Sequence, residues 1–279
     1  MKNDSLGDRM KKYEGVPKTA LMRRNPVIIR IDGKAFHTFT RGFQRPFDNV
    51  LIESMQETMK YLCENIQGCK LGYCQSDEIS LLITDYETIN TAAWFDYQVQ
   101  KMCSIAASMA TLAFNRYFGN NALVKISITD AYFREKECYP GDWEKDRSFK
   151  QPYLDAHSNG ALFDARCFSI PKEEVCNYFI WRQQDATRNS IQMVGQANFS
   201  HKELQNKSCD KIQDMLMLER GINWNDFPTV QKRGSCCTKT GVHTVVDMKT
   251  GEQKERFVWE IDKEIPIFTQ DRNYIERWI

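Results

Sequence analysis

The stretch of residues 71–83 limits what this chain can fold into more than any other part of the sequence. It reads Leu-Gly-Tyr-Cys-Gln-Ser-Asp-Glu-Ile-Ser-Leu-Leu-Ile, and its nearly unbroken apolar run 79–83 is typical of a buried strand. The polar residues in the middle predict a hairpin with Asp77 and Glu78 at its tip. Two adjacent carboxylates beside a buried strand require a partner such as a metal ion, a basic group or water. An acidic, solvated turn is the alternative interpretation.

A second acidic residue follows another predicted core strand. The β-branched run 27–31 (Val-Ile-Ile-Arg-Ile) predicts a strand, and it leads directly into Asp32-Gly33-Lys34-Ala35-Phe36-His37. No second strand comes straight after Asp32-Gly33, so the pair does not indicate a two-residue hairpin. It marks the exit from a strand into a loop, where free backbone N–H groups can bind phosphates.

The order of predicted elements indicates the fold class. A helix capped by Asp48 separates the first strand from the hairpin, and a long helix over about 94–118 follows it. Residues 123–129 alternate as a strand that extends toward residue 136, and residues 165–170 predict another strand before a helix that starts at Pro171 or Lys172. The order strand, helix, strand, strand, helix, strand predicts an α+β protein with a ferredoxin-like βαββαβ palm domain, as in polymerases and cyclases.

The domain organisation follows from this order. The prediction is a palm core with an N-terminal segment over residues 1–136, then an inserted loop, the last palm strand and a helix over 137–195. The insertion is the polar, turn-rich part at 140–159, which predicts a loop or a short arm. Residues 196–279 predict a C-terminal α+β appendage of helices and a hairpin, with turn signals at Thr240-Gly241, packed on the palm.

Composition narrows the class of protein. A net charge of +1 does not indicate a nucleic-acid binder, so local basic patches must carry any such function. The ten cysteines include no Cys-x-x-Cys pair and the four histidines do not cluster with them, which argues against a zinc site. The polar N-terminal residues and the lack of a long apolar run predict a cytoplasmic protein with reduced thiols and no membrane span.

The two acidic positions are expected to meet. In a βαββαβ sheet the first strand lies beside the strand that follows Asp77, so Asp32 and Asp77 face the same end of the sheet. Carboxylate and carbonyl oxygens suit Mg²⁺, and such a pair could hold two ions about 4 Å apart, the arrangement used for nucleotidyl transfer. Palm domains of polymerases and nucleotidyl cyclases share this layout.

Three motifs together resemble the tRNA(His) guanylyltransferase family. They are Arg-Ile-Asp-Gly-Lys-Ala-Phe-His at 30–37, Gln-Ser-Asp-Glu at 75–78 and Trp-Arg-Gln at 181–183. The resemblance covers residues 20–195 and continues more loosely beyond. It implies an enzyme that adds nucleotides to the 5′ end of tRNA in the 3′-to-5′ direction.

The resemblance also implies roles for individual residues. Asp32 and Asp77, with the carbonyl of Gly33, match the Mg²⁺ ligands, and Glu78 matches the second acid of the family. The nucleoside triphosphate is expected to contact Asp32, Gly33, Lys34, Ala35, Phe36, His37, Ser76 and Asp77, and the basic positions matching activation or phosphate binding are Arg30 and Lys101. Members of the family form a homotetramer. Independently of the resemblance, the candidates for contacts with tRNA phosphates are Arg23, Arg24, Arg41, Arg45, Arg188 and Lys232, and a solvated surface charge is the alternative interpretation for each.

Departures from the eukaryotic pattern point to one branch of the family. Trp-Arg-Gln is followed by Thr187-Arg188-Asn189-Ser190 where eukaryotic members have His-Ile-Asn-Asn, and Arg45 stands where the family has a lysine. The first of these departures resembles the bacterial and archaeal guanylyltransferase-like 3′–5′ polymerases, which repair 5′-truncated tRNAs against a template. The resemblance therefore implies 5′-end repair of tRNA, G addition to tRNA(His), or both. The implied reaction activates a 5′-monophosphate end with ATP or GTP, and the 3′-hydroxyl of an incoming NTP then attacks it.

Two other functions remain open from the sequence. A nucleotidyl cyclase or cyclic-dinucleotide synthase on the same palm would act on free NTPs without a tRNA surface. A non-catalytic RNA-binding module would keep the palm fold and bind tRNA without activity, although both aspartates are present in this chain.

Overall fold

A single six-stranded antiparallel sheet organises the protein. The computed structural model describes residues 5–135, 142–246 and 253–279. The strands are β1 (Val27–Gly33), β2 (Cys69–Gln75), β3 (Glu78–Ile83), β4 (Phe163–Ser169), β5 (Ser235–Val246) and β6 (Gln253–Asp262). Their order across the sheet is β4-β1-β3-β2-β5-β6, and every neighbouring pair is antiparallel.

Helices cover both faces of this sheet. They are α1 (Ser5–Gly15), α2 (Phe36–Phe39), α3 (Asn49–Asn65), α4 (Val99–Glu135), α5 (Asp142–Asn159), α6 (Lys172–Asn198), α7 (His201–Leu204), α8 (Cys209–Arg220), α9 (Thr229–Arg233) and α10 (Asn273–Glu276). No helix in the described ranges is both long and apolar enough to cross a membrane.

Strand β1 lies inside the sheet because both of its faces are apolar. Ile29 and Ile31 belong to the core formed with α3 and α4, whereas Ile28 belongs to a second core formed with α6 and α10. All three side chains are completely buried. Burial on both faces explains why β1 and β3 read as nearly continuous apolar runs. The predicted strand, the hairpin and the helix between them are confirmed.

The cap of α3 also matches the expectation from sequence. The Asp48 carboxylate accepts hydrogen bonds from the Leu51 amide at 3.0 Å and the Gln44 amide at 3.2 Å. The side chains of Met55, Met59 and Leu62 are fully buried on the face that α3 turns to the sheet. Asp48 therefore ties the start of α3 to the loop before it.

The strand predicted at 123–129, with its extension toward residue 136, is wrong. These residues continue α4, which runs without interruption to Glu135. Asn121 fixes this part of the helix to α3 by donating to Ser54 Oγ and Glu57 Oε2, each at 3.1 Å. The alternating apolar side chains mostly face solvent, as Val124 does at 58% exposure. A helix already formed over many residues propagates more easily than a new strand begins.

The predicted inserted loop is also wrong over the residues that the structure describes. Most of residues 140–159 forms α5, and only residues 140–141 fall outside the description. The ring of Tyr153 stacks on Phe43 with centroids 4.7 Å apart, and the His157 ring lies against Gly119 of α4. The strand predicted at 165–170 is confirmed as β4.

The C-terminal region extends the sheet as well as packing on it. Strand β5 pairs with β2, so that Tyr73 lies opposite Cys236, and β6 pairs with β5. Thr240 and Gly241, expected in a turn, lie within β5 where its register with β6 shifts. Phe268 and Ile275 pack on the α6 face of the sheet.

Candidate active site at one end of the sheet

The end of β1 and the turn between β2 and β3 meet at one end of the sheet. The Gly33 amide donates a hydrogen bond to the Asp77 carbonyl at 3.1 Å. Asp32 lies opposite Glu78 in the register of β1 and β3. The expectation that Asp32 and Asp77 face the same end of the sheet therefore agrees with the structure.

The Asp77 carboxylate is held in a tight turn. Ser76 has a left-handed backbone conformation with φ of 49°, and its hydroxyl donates to Asp77 Oδ1 at 2.8 Å. Burial raises the pKa of Asp77, the negative charge of Asp32 raises it further, and the Ser76 hydrogen bond partly opposes both effects. No basic side chain forms an ion pair with Asp32 or Asp77 within the described part of the chain.

The donor atoms at this end fit magnesium rather than zinc. The available ligands are the carboxylates of Asp32 and Asp77 and the carbonyl of Gly33, all oxygens. No group of three or more histidine, cysteine or acidic side chains that could hold a metal occurs in the ranges described. Mg²⁺ typically binds through one or two carboxylates together with waters and substrate phosphates, so a pair of uncompensated aspartates suits it.

The turn after β1 presents backbone amides beside the aspartates. Ala35 has a left-handed conformation with φ of 54°, and α2 begins directly after it. Within the described residues, the amides of Phe36 and His37 donate no hydrogen bond. The amides of a helix's first turn have no partner inside the helix, which leaves these two available to an anionic group.

A cluster of aromatic rings fixes this turn in place. The Phe36 ring lies 5.1 Å from Phe39, 5.5 Å from Phe114 and 5.2 Å from Phe163, measured between centroids. A Cβ atom at Gly33 would lie 2.2 Å from the buried Phe36 ring. Glycine is therefore required at position 33, since the packed ring cannot move away.

An open cleft of about 670 Å³ lies beside the two aspartates. Its walls come from the turn after β1, the loop before α3, the β2–β3 turn and the C-terminal part of α6. The residues that line it are Asp32, Gly33, Ala35, Phe36, His37, Thr40, Arg41, Phe43, Gln44, Arg45, Pro46, Asp48, Leu51, Ser76, Asp77, Met193 and Gln196. Arg41 and Arg45 are exposed and add two basic side chains to the lining of this cleft.

Glu78 does not line this cleft with Asp77. Its carboxylate is buried between two arginines, 2.9 Å from Arg182 Nη1 and 3.2 Å from Arg30 Nε. Burial raises the pKa of Glu78 although both arginines act in the opposite direction. The guanidinium of Arg182 also lies 3.7 Å from the centre of the Trp181 ring. Arg30, expected to contact the nucleotide, and Glu78, expected to be a catalytic acid beside the metal site, are therefore engaged with each other and with α6.

Several other predicted residues lie away from the cleft. Lys101 lies over the Phe95 ring at 4.9 Å, and Arg23 pairs with Asp85. The structure does not bring these residues to the aspartates. The Lys34 side chain is exposed, outside the cleft lining, and its amide donates to the Leu162 carbonyl at 2.8 Å.

The remaining predicted RNA contacts make local interactions. Arg24 donates to the carbonyl of Ile89 at 2.7 Å, and Arg188 pairs with Asp185 at 2.7 Å. Lys232 donates to a carbonyl in the preceding turn and lines a small pocket that Ser76 and Asp48 also line. Of the six arginines and lysines expected to contact RNA, Arg41 and Arg45 alone line the cleft.

Arg182 is a residue whose role the sequence left unassigned. It belongs to the Trp-Arg-Gln motif, but only the structure shows that it is 4% exposed and bonded to Glu78. A signal was present in the sequence. Arg182 follows the apolar positions Val175 and Phe179 at helical spacing, and an arginine on a buried helix face requires an acidic partner.

Comparison with known proteins agrees with this architecture. The sequence profile of the Thg1 family, described as tRNAHis guanylyltransferase, matches residues 7–171. A solved bacterial tRNA(His) guanylyltransferase (Thg1)-like protein in complex with ATP is 43% identical, with a TM-score of 0.76 and 99% of each chain covered. Another such structure in complex with GTP is 41% identical, with a TM-score of 0.70 and the same coverage. The tRNA(His) guanylyltransferase of Saccharomyces cerevisiae is 25% identical over 77% of this chain and 83% of its own.

The antiparallel sheet, the pair of aspartates at its end and the similarity to tRNA(His) guanylyltransferases together identify the protein as an enzyme, a nucleotidyltransferase. More specifically, the chain belongs to the tRNAHis guanylyltransferase (Thg1) family, since the family profile matches more than half of it.

Proposed function

We propose that this protein is a template-dependent 3′-to-5′ nucleotidyltransferase that adds nucleotides to the 5′ end of tRNA. The observation that carries the proposal is the pair Asp32 and Asp77, uncompensated by any basic side chain in the described ranges and facing a cleft lined by Arg41 and Arg45. Similarity to tRNA(His) guanylyltransferases, and to bacterial Thg1-like proteins solved with ATP and with GTP, supports tRNA and nucleotides as the substrates.

The sheet is proposed to serve as a ferredoxin-like palm. The strand order β4-β1-β3-β2, with α3 between β1 and β2 and α4 between β3 and β4, supports this arrangement. Strands β5 and β6 continue the palm beyond β2. This geometry presents the end of β1 and the β2–β3 turn to the same substrate.

The residues of the cleft would have separate roles in binding metal ions, phosphates and the rest of the substrate. Asp32, Asp77 and the Gly33 carbonyl would hold magnesium ions, which when bound lower the pKa of an attacking hydroxyl and offset phosphate charge. The free amides of Phe36 and His37 would bind phosphate oxygens, and Ser76 would orient the Asp77 carboxylate through its hydrogen bond. Arg41 and Arg45, which also line the cleft, would contact the anionic substrate.

In the proposed reaction the 3′-hydroxyl oxygen of an incoming NTP forms a bond to the activated 5′ phosphorus of the tRNA. The bond from that phosphorus to its leaving group breaks, and the leaving group is AMP after activation by ATP or pyrophosphate from a triphosphate end. The 3′-hydroxyl proton is released to solvent. Asp32 and Asp77 would hold the magnesium ions, whose charge would help to position the phosphates, and positioning is the main contribution of a protein to phosphoryl transfer.

The test uses a tRNA transcript lacking its first nucleotide, supplied with ATP and single NTPs. The wild type should add the nucleotide that pairs with the opposing base, and Asp32→Ala and Asp77→Ala should reduce addition by at least about a hundredfold. Asp210→Ala, an exposed acidic residue on α8, is the matched control. Retained activity in either cleft variant would refute the site. Addition of G regardless of the opposing base would refute template dependence, and a cyclic product from NTPs alone would favour a cyclase.

A further inference from the structure

A second concave surface lies at the opposite end of the sheet from the aspartates. It is a groove of about 920 Å³ between the end of α3, the start of β2 and the paired strands β5 and β6. Strand β3 runs from the end of the sheet that carries the aspartates to the end that carries the groove. Its five residue steps, from Glu78 to Ile83, span about 17 Å, so the groove lies about that far from the aspartates. Its lining residues are Cys63, Glu64, Ile66, Gly68, Cys69, Lys70, Thr84, Tyr86, Glu87, Lys239, Arg256, Phe257, Trp259, Arg277, Trp278 and Ile279.

The groove carries positive charge that the described part of the chain does not neutralise. Lys239 and Arg256 are exposed, and neither has a carboxylate partner among the described residues. Lys70 pairs with Glu87, and burial, together with the like charge of Lys239, lowers the pKa of Lys70. Four basic side chains (Lys70, Lys239, Arg256 and Arg277) and two acidic ones (Glu64 and Glu87) line the groove, and this excess of positive charge attracts an anionic partner.

Aromatic rings alternate with these cations. Phe257 is 64% exposed on β6, an unusual position for a phenylalanine, and it lies opposite Val242, which is 49% exposed. Trp259 follows two residues later on the same strand face and is half-buried. Arg277 and Trp278 also line the groove, and the Arg277 guanidinium lies 5.2 Å from the centre of the Trp278 ring. Exposed rings beside cations form a surface on which nucleobases can stack.

We propose that this groove binds an unpaired stretch of RNA. Lys239 and Arg256 contact its phosphates, while Phe257 and Trp259 stack on its bases. Unpaired RNA fits better than duplex RNA because the rings are useful only to bases that are free to leave a helical stack. The inference rests on the proposed function, since tRNA is the RNA that this enzyme would hold while its 5′ end lies at the aspartates.

The direct test is fluorescence anisotropy with a labelled, unstructured RNA oligonucleotide of about twelve nucleotides, without NTP. Phe257→Ala should weaken binding about fivefold or more, the effect of losing one stacked base. The double variant Lys239→Ala and Arg256→Ala should lower the slope of log affinity against log salt by about one to two. Tyr13→Ala and Lys207→Ala remove an exposed ring and an exposed charge elsewhere, and they should leave the affinity nearly unchanged.

Two outcomes overturn the inference. Equal affinity in the groove variants and the wild type would show that the groove does not contact RNA. Tighter, groove-dependent binding of a hairpin duplex of matched length would show that it does not select unpaired RNA. If the groove variants change the oligomeric state in sedimentation while RNA affinity stays constant, the groove is an interface between copies of the chain.

Failure of this inference can be told apart from failure of the proposed function. Asp32→Ala should bind the oligonucleotide like the wild type, because the aspartate lies at the other end of the sheet. If the wild type adds no nucleotide but binds the oligonucleotide through Phe257, the proposed function is refuted and the proposal that the groove binds RNA is supported. Normal nucleotide addition with an affinity that does not depend on Phe257 would refute the groove alone.

Discussion

The Arg182 guanidinium donates a hydrogen bond to the Glu78 carboxylate at 2.9 Å, and this contact joins α6 to β3, the strand that follows the turn carrying Asp77. Both side chains are almost fully buried. Arg30 approaches the same carboxylate from β1 at 3.2 Å, so Glu78 forms ion pairs with both arginines. Breaking a buried pair is costly because the remaining charge has no water to solvate it.

Replacement of Arg182 should therefore destabilise the protein strongly. We expect Arg182→Met to lower the free energy of unfolding by about 3 kcal/mol, at the lower end of the range for broken buried pairs because Arg30 still contacts Glu78. Urea unfolding measures the change. Arg188→Met removes an exposed ion pair with Asp185 and should cost less than about 1 kcal/mol. A similar cost for both variants would contradict a structural role for the buried pair.

The raised pKa of Asp77 makes a prediction about stability. The folded protein binds this proton more tightly than the unfolded chain, so the ionised carboxylate destabilises the fold at neutral pH. Asp77→Asn should raise stability at pH 7 by roughly 1 kcal/mol, the scale of a single stabilising substitution, while abolishing nucleotide addition. The gain should shrink as pH falls through the raised pKa and vanish below the pKa of an unfolded aspartate. Thermal unfolding between pH 3 and 8 measures it, with Asp210→Asn as the control.

The close contact between Gly33 and Phe36 predicts that a single methyl group is harmful. Gly33→Ala would place a Cβ atom 2.2 Å from the Phe36 ring and should cost about 1–3 kcal/mol. It should also lower nucleotide addition, since the turn after β1 must move. Gly15→Ala meets no atom within 4 Å and serves as the control. Unfolding curves and activity should change together for Gly33→Ala, and wild-type values of both would show that the turn can adapt.

The two arginines in the cleft should contribute to tRNA affinity. If Arg45 contacts a phosphate, Arg45→Ala should lower the slope of log affinity against log salt by about one. Arg41→Ala is expected to act in the same way. Filter binding of tRNA at several salt concentrations measures the slope. Arg188→Ala is the matched control because Asp185 already holds that guanidinium, and an equal effect there would indicate loss of overall charge rather than a contact.

Metal dependence should require Asp32. Removal of Mg²⁺ with EDTA should weaken ATP binding by the wild type, because phosphate oxygens would lose the shared cation. In Asp32→Ala the affinity for ATP should be low and insensitive to Mg²⁺. Isothermal titration calorimetry with and without Mg²⁺ measures both. A wild type that binds ATP equally well in EDTA would argue against a metal held by the aspartates.

Local pattern was enough to predict the part of the fold that forms the candidate site. The strand before Asp32, the hairpin at Asp77 and the helix capped by Asp48 each depend on residues close together in the chain. Connectivity then places the end of β1 beside the β2–β3 turn, because only a few strand orders accommodate such an alternation of elements. For these reasons the meeting of the two aspartates followed from sequence alone.

The parts of the fold and of the site that the sequence did not predict were decided by contacts between residues far apart in the sequence. The alternation at 123–129 predicted a strand, but Asn121 of the preceding turn is bonded to α3 and the helix continues. The sequence suggested that Glu78 acts together with Asp77. In the structure, Glu78 pairs instead with Arg182, more than a hundred residues later in the chain. The pairing of β5 with β2 created both the extended sheet and the basic groove. Sequence periodicity shows which face of an element is apolar, but the element that covers it is chosen by the free energy of the whole packed structure.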